Sequence, residues 1–286
     1  METIEVAMNE KKMAITLTGP INTASVKRLV QEMDYGFDYY QFSGITVQLD
    51  STGGEYKAML TLLDCMKRRQ QANQLIHMQA THVCASAAAL VHAHGTWGTR
   101  TVEPDTHLLF HWARALFQVG QVVTSDMAVS LAKGLSTVDQ KILERLVASM
   151  CAGAGGEQAL VDTMSARLDS LLLHWDETAR ALSDGVDGRS ANQCDWAKVL
   201  QKNIKRWQAE CDVRKQVAGV VLCLKSRFEK DLAMDLREAY ALCLIDVVKG
   251  ILPVQKAVQT KQNMVVNVEA TSVSDISKQA QHTHLC

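Results

Sequence analysis

Three short stretches carry residues whose types and spacing suit acyl transfer: Ser51-Thr52-Gly53-Gly54, Cys84-Ala85-Ser86-Ala87 and Leu108-Leu109-Phe110-His111. Glycines that follow a strand let backbone N–H groups point into a cleft, as the stabilisation of an oxyanion requires. Ser86 opens a helix of small residues, with the helix dipole behind it and the N–H of Ala87 beside it. His111 ends an apolar strand, where an imidazole can serve as a general base. Taken singly, each has a plainer explanation. A Gly-Gly turn is common between strand and helix, Ser86 reads equally as an N-cap, and a histidine at a strand end is usually structural. Their order along the chain is what carries the chemical reading.

The elements that would position these residues follow from hydrophobic periodicity. Ile4, Val6 and Met8, a polar turn at Asn9 to Lys12, and Met13 to Thr18 predict a β-hairpin closed by Gly19-Pro20. Asn22 or Thr23 caps a helix bearing Val26, Leu29, Val30 and Met33, and Ile45 to Leu49 is a strand. A second amphipathic helix runs from Ala58 through Met66 to Lys67-Arg68-Arg69, and Leu75 to Met78 is the next strand. Ala85 to His92 forms the small-residue helix and His107 to Phe110 another strand. Strands alternating with helices predict a mostly parallel sheet with both faces covered. From Asp126, the seam Met127, Leu131, Leu135, Val138, Ile142 and Leu146 predicts one long helix, ended by Cys151 to Gly156. Residues 157–228 carry two further seams, Leu160 to Trp175 and Trp196 to Val221, around the turn Ser183 to Gly188, which reads as an inserted helical hairpin. A last helix and a strand at Leu244 to Val248 close the core. The stretch 253–286, rich in Gln, Thr, Ser and Val, reads as a disordered tail.

Gly-Gly after a strand, Ala-Ser-Ala opening a helix and a strand ending in His resemble the ClpP family of serine peptidases, with 111 − 86 = 25 residues from Ser86 to His111, the family's spacing. Gly95 to Arg100 followed by Glu103-Pro104-Asp105 resembles the family's approach to the histidine strand. Downstream, Glu229-Lys230-Asp231, then Glu238-Ala239 and Leu244-Ile245-Asp246, resembles its closing segment without a gap. The resemblance covers roughly residues 14–150 and 229–248. It implies an α/β ClpP/crotonase-like fold of strand-strand-helix units with a long handle-type helix: a core at 1–150, a helical insertion at 157–228 and closing elements at 229–252. It also implies a serine endopeptidase in which Ser86 is nucleophile and His111 base. Asp231 would hold the His111 tautomer and stabilise the imidazolium, and the N–H groups of Gly54 and Ala87 would form the oxyanion hole. The sequence departs from the family at Thr52, where a proline is usual, and at Trp112-Ala113-Arg114 after the histidine. The interval from His111 to Asp231, 231 − 111 = 120 residues, is also longer than is typical. Divergence and insertion resemble the phage head-maturation members about as much as the housekeeping subunit. The implied partners are a peptide or unfolded protein substrate, further copies of the chain and an AAA+ unfoldase; no cofactor is implied.

Composition narrows the alternatives. Thirty Lys and Arg against thirty-one Asp and Glu give a net charge of −1, with no bias toward nucleic acid or a membrane surface. No run reaches the roughly 18 apolar residues of a membrane span, and Met1 to Lys12 lacks a continuous apolar core, so the chain reads as soluble and cytoplasmic. Eight cysteines without a C-x-x-C pair read as reduced and mostly buried. Metal binding is prompted by His92-Ala93-His94 and by His107 with His111, yet on a strand the latter pair would lie roughly 13 Å apart, too far for one ion. His282, His284 and Cys286 could bind metal only adventitiously. An inactive scaffold of the same fold is the main alternative; a thioester-binding oxyanion site of the enoyl-CoA hydratase kind would need neither Ser86 nor His111.

Overall fold

The computed structural model describes residues 13–115, 117, 120–184, 191–210, 216–250 and 265–266. In chain order the core holds β1 (Ala14–Thr18), α1 (Thr23–Asp34), a π-helical turn (Tyr35–Tyr39), β2 (Gly44–Ser51), α2 (Tyr56–Gln71), β3 (Leu75–Ala85), α3 (Ala87–Ala93), β4 (Thr101–Val102), β5 (His107–Leu109) and α4 (Ser125–Ala154). Then come α5 (Glu157–Asp184), α6 (Ala191–Glu210), α7 (Val217–Phe228), α8 (Leu236–Ala241), β6 (Val247–Val248) and β7 (Val265–Val266). The first strand of the expected hairpin lies outside the described residues.

The helix starts and stops follow local chemistry. Asn22 Oδ1 accepts the Ser25 N–H and Ser25 Oγ accepts the Asn22 N–H, both at 2.9 Å, a reciprocal cap that fixes the start of α1. At the far end of α2, Arg69 donates to Asp34 and Asp38, tying the helix to the end of α1 and the turn behind it. α4 ends where Gly155 takes the left-handed conformation, φ 91°.

The sheet is parallel throughout, in the order β6-β4-β3-β2-β1-β7, with β5 paired to the far end of β3. The register aligns Ile15, Val47 and Met78, and likewise Leu17, Leu49 and Ala80, all buried. The alternate residues Thr16, Gln48 and Gln79 align on the other face and are only half-buried. Among the described residues the second face is therefore less fully covered than the first. The strands alternate apolar and polar with period two, so one face carries the apolar core and the other the polar side chains.

Four further differences from what the sequence predicts concern length and partnership. β3 runs to Ala85, seven residues beyond the strand expected at Leu75 to Met78, and so delivers its chain directly to Ser86. The second seam of the insertion is divided between α6 and α7, making three helices of residues 157–228 where a hairpin was expected. Cys223, buried on α7, is disulfide-bonded, although the spacing of the cysteines predicts thiols. Pairing depends on the distance between folded Cβ atoms and not on separation in sequence. Within the stretch read as a disordered tail, Val265 and Val266 pair in parallel with Ala14 and Ile15.

The insertion is fastened to the core by buried apolar contacts and two arginines, Arg167 and Arg227, the latter paired with buried Glu238 of α8. Leu160, Val161, Met164, Leu168 and Leu171 of α5 belong to the same apolar core as the sheet. Arg167 donates to the carbonyls of Tyr240 and Ile245, both at 3.1 Å, with its guanidinium 4.1 Å from the Tyr240 ring centroid. α4 is buried only from Ile142 onward; its first turns, including Met127 and Val129, stand exposed. Among the described residues no helix is long and apolar enough to cross a membrane.

Candidate active site

Ser86 sits at a sharp elbow between β3 and α3. Its backbone adopts φ 57° and ψ −127°, a combination that L-residues rarely hold and that costs on the order of 1–3 kcal/mol. The elbow is held from β5: the Ser86 N–H donates to the Leu109 carbonyl at 2.8 Å. β3 and β5 pair Val83 with His107, Cys84 with Leu108 and Ala85 with Leu109, an offset of 107 − 83 = 24 residues. That offset sets Ser86 opposite Phe110, one residue short of His111. The 25-residue interval in the sequence is thus a parallel register plus one.

The Gly-Gly turn closes the other side of the elbow. A Cβ on Gly53, whose φ is +100°, would lie 2.6 Å from the Ser86 Cβ and 2.8 Å from the Ala85 carbonyl oxygen. On Gly54 it would lie 2.0 Å from the Ile21 carbonyl oxygen. Neither position has room for any side chain. The Ile21 N–H donates to Gly53 O at 2.8 Å and the Glu55 N–H to Ile21 O at 2.7 Å, while buried Ser51 accepts the Gly53 N–H at 3.1 Å. Among the described residues no acceptor takes the N–H of Gly54 or of Ala87. Thr52 in place of proline leaves this turn fully determined.

His111 is half-buried, between two aromatic residues that rest on one ring. Phe110 stacks on Phe228 at 5.1 Å between centroids, and Trp112 meets the same ring edge-on at 5.3 Å. Phe228 ends α7, so the last helix of the insertion floors the site. His111 Nδ1 lies 2.6 Å from the carbonyl oxygen of Trp112. A carbonyl only accepts, so Nδ1 carries hydrogen, and in the neutral ring Nε2 keeps a free lone pair. Among the described residues no hydrogen bond joins Ser86 Oγ to His111.

Asp231 flanks the same strand from its other edge. The Met234 N–H donates to Leu108 O at 2.8 Å, while the next carbonyl, that of Leu109, points back to Ser86. The Asp231 carboxylate is ion-paired with Arg114, both side chains being half exposed, and is not hydrogen-bonded to His111. A second carboxylate beside this segment is that of Asp139 of α4, which reaches the peptide group next to His111. Its Oδ1 accepts the Ala113 N–H at 2.8 Å; burial raises its pKa, against the opposing pull of that bond and of the His111 charge. No motif in the sequence points to Asp139. The available signal is an acidic residue standing three, four and seven positions before Ile142, Leu143 and Leu146, on the side of α4 that becomes buried from Ile142 onward.

Behind the elbow, α3 rests on a buried ion pair. Arg100 donates to both carboxylate oxygens of Asp246 at 2.7 Å and to Ala93 O at 3.0 Å, with its guanidinium 4.7 Å from the Trp97 ring centroid. Burial pushes the Asp246 carboxyl up, but hydrogen bonds and charge from Arg100 outweigh it and hold it below its ordinary value. His92 and His94 are buried and each meets a backbone carbonyl, Thr101 O at 3.0 Å and Leu90 O at 2.7 Å respectively. Among the described residues no group of three or more His, Cys, Asp or Glu side chains could hold a metal ion. His282, His284 and Cys286 lie outside those residues.

Comparison with known proteins agrees with this geometry. The family model of Clp protease matches residues 3–154, just over half of the chain, which spans the Gly-Gly turn, Ser86, His111 and all of α4. No curated protein matches. With the strand–elbow–helix unit, the parallel sheet and the long helix all present inside the matched stretch, the chain belongs to the Clp protease family, a family of serine peptidases.

Proposed function

We propose that the protein is a serine endopeptidase in which Ser86 attacks the peptide carbonyl and His111 is its general base. The observation that carries this reading is the Ser86 elbow, a strained backbone at the end of β3 hydrogen-bonded to the strand that leads into His111. Strain of this kind persists only where the surroundings enforce it, and here Gly53, Leu109 and α3 do so. His111 Nε2 takes the Ser86 Oγ proton as Oγ bonds to the carbonyl carbon. The N–H groups of Gly54 and Ala87 receive the oxyanion. The imidazolium then gives its proton to the departing amine, and a water molecule, deprotonated by the same nitrogen, releases the acyl group from Ser86.

Asp231 is the third member in this proposal. Because Trp112 O already takes the Nδ1–H, what is left to Asp231 is to stabilise the imidazolium, once Arg114 releases its carboxylate. The missing bond between Ser86 and His111 fits a resting site, since such bonds often tighten only in the complex. The exposed first turns of α4 suit contact with another copy of the chain, so the working form is a homo-oligomer. Its substrate is a peptide or unfolded protein of the cytoplasm, and the chemistry calls for no cofactor.

Hydrolysis of an unstructured protein by the purified oligomer tests the reading. Ser86→Ala and His111→Ala are expected to lower turnover by at least about 10³-fold, and Asp231→Asn to lower it strongly, with the fold unchanged by circular dichroism. Activity that survives Ser86→Ala would sink the assignment.

A further inference from the structure

The geometry points to a relay in which the Asp139 carboxylate, acting through the Trp112–Ala113 peptide group, holds His111 in the tautomer that a base requires. It rests on the reading of His111 as base and adds a positioning residue to it. The Trp112 carbonyl that accepts from His111 Nδ1 at 2.6 Å and the Ala113 N–H that donates to Asp139 Oδ1 at 2.8 Å belong to one peptide unit. In a trans peptide these two groups point in opposite directions, so imidazole, peptide and carboxylate stand in a line of two hydrogen bonds. A charged acceptor on the N–H draws electron density toward the carbonyl oxygen and strengthens the bond that the oxygen accepts, an effect of roughly 10–30% per bond.

The position of Asp139 favours this role over a surface contact. It is half-buried, three and four residues before Ile142 and Leu143, where its 30-residue helix enters the core, so its carboxylate sits on a rigid support. Its Oδ1 is engaged by the Ala113 N–H, while the carboxylate of Asp231 on the other side is engaged by Arg114. The arrangement explains how His111 keeps its Nδ1–H without a direct carboxylate partner.

Two variants of the full chain separate charge from bonding. Asp139→Asn keeps an oxygen for the Ala113 N–H and loses the charge; Asp139→Ala loses both. The readouts are the rate of fluorophosphonate labelling across pH and the ¹⁵N imidazole shifts of His111, identified by their absence in His111→Gln. Asp139→Ala is expected to slow labelling by about 10- to 100-fold, and Asp139→Asn by less. In both, the acid limb of the rate profile moves to lower pH and the His111 spectrum shifts from the Nδ1–H form toward a mixture. Folded variants with the labelling rate, the pH profile and the tautomer of the wild type would overturn the relay. If the wild type itself is not labelled, the peptidase reading fails, and the tautomer still decides the relay; if Asp139→Ala does not fold, Asp139→Asn decides it.

Discussion

The backbone N–H of Ser86 donates to the carbonyl of Leu109 at 2.8 Å, so a single main-chain bond ties the proposed nucleophile to the strand that ends at the proposed base. The separation of the two residues is therefore a property of the β3–β5 register. A one-residue slip of that register would turn His111 to the opposite face of its strand.

Gly53 is the position where the smallest change should do the most harm. Gly53→Ala places a methyl group 2.6 Å from the Ser86 Cβ, on a backbone with φ +100° that alanine resists. The expected outcome is a loss of about 1–3 kcal/mol in urea unfolding and abolished hydrolysis, because the elbow must move to make room.

Arg114→Gln should act in the other direction. The Arg114–Asp231 pair is half exposed on both sides, so its removal should change stability by less than about 1 kcal/mol. With the carboxylate released, hydrolysis is expected to rise severalfold, and Asp231→Asn in the same background should cancel the gain. Unchanged rates in Arg114→Gln would mean that Asp231 contributes nothing from where it stands.

Stability should fall as the solution is acidified, through the two buried histidines of α3 and its C-cap. Burial lowers the pKa of His92 and His94 to about 4 from an ordinary 6.5. The folded-state value is the lower one, so between these limits the unfolded chain binds more protons and stability rises with pH. The contribution is complete above about pH 6.5 and is lost on the way down to about pH 4, on the order of 3 kcal/mol for each histidine. Urea midpoints at about pH 7 and about pH 5 should differ, and by less in His94→Gln.

Much of the fold was legible because period-two and period-3.6 patterns are local. Asn22 caps its helix as its chemistry requires, and the β-branched run Ile45 to Leu49 marks a strand. The three residues in order, Gly54, Ser86 and His111, were legible because a parallel register fixes their spacing. Arg100 and Asp246, read only as separate pieces of a resemblance, prove to be two halves of one buried ion pair across 146 residues. What escaped was set by tertiary contact. β3 continues past Met78 because β2 and then β5 offer it partners. α7 separates from the insertion's second seam to support Phe110 and Trp112, and the Arg114–Asp231 pair depends on a strand edge that no local pattern announces.

Fluorophosphonate labelling of the purified wild-type and Ser86→Ala proteins, read by intact mass with oligomer size recorded on the same samples, tests the central claim most directly. The account predicts one adduct per chain on the wild type and none on Ser86→Ala. A well-folded oligomer that takes no label, or a Ser86→Ala protein labelled as readily as the wild type, would contradict it.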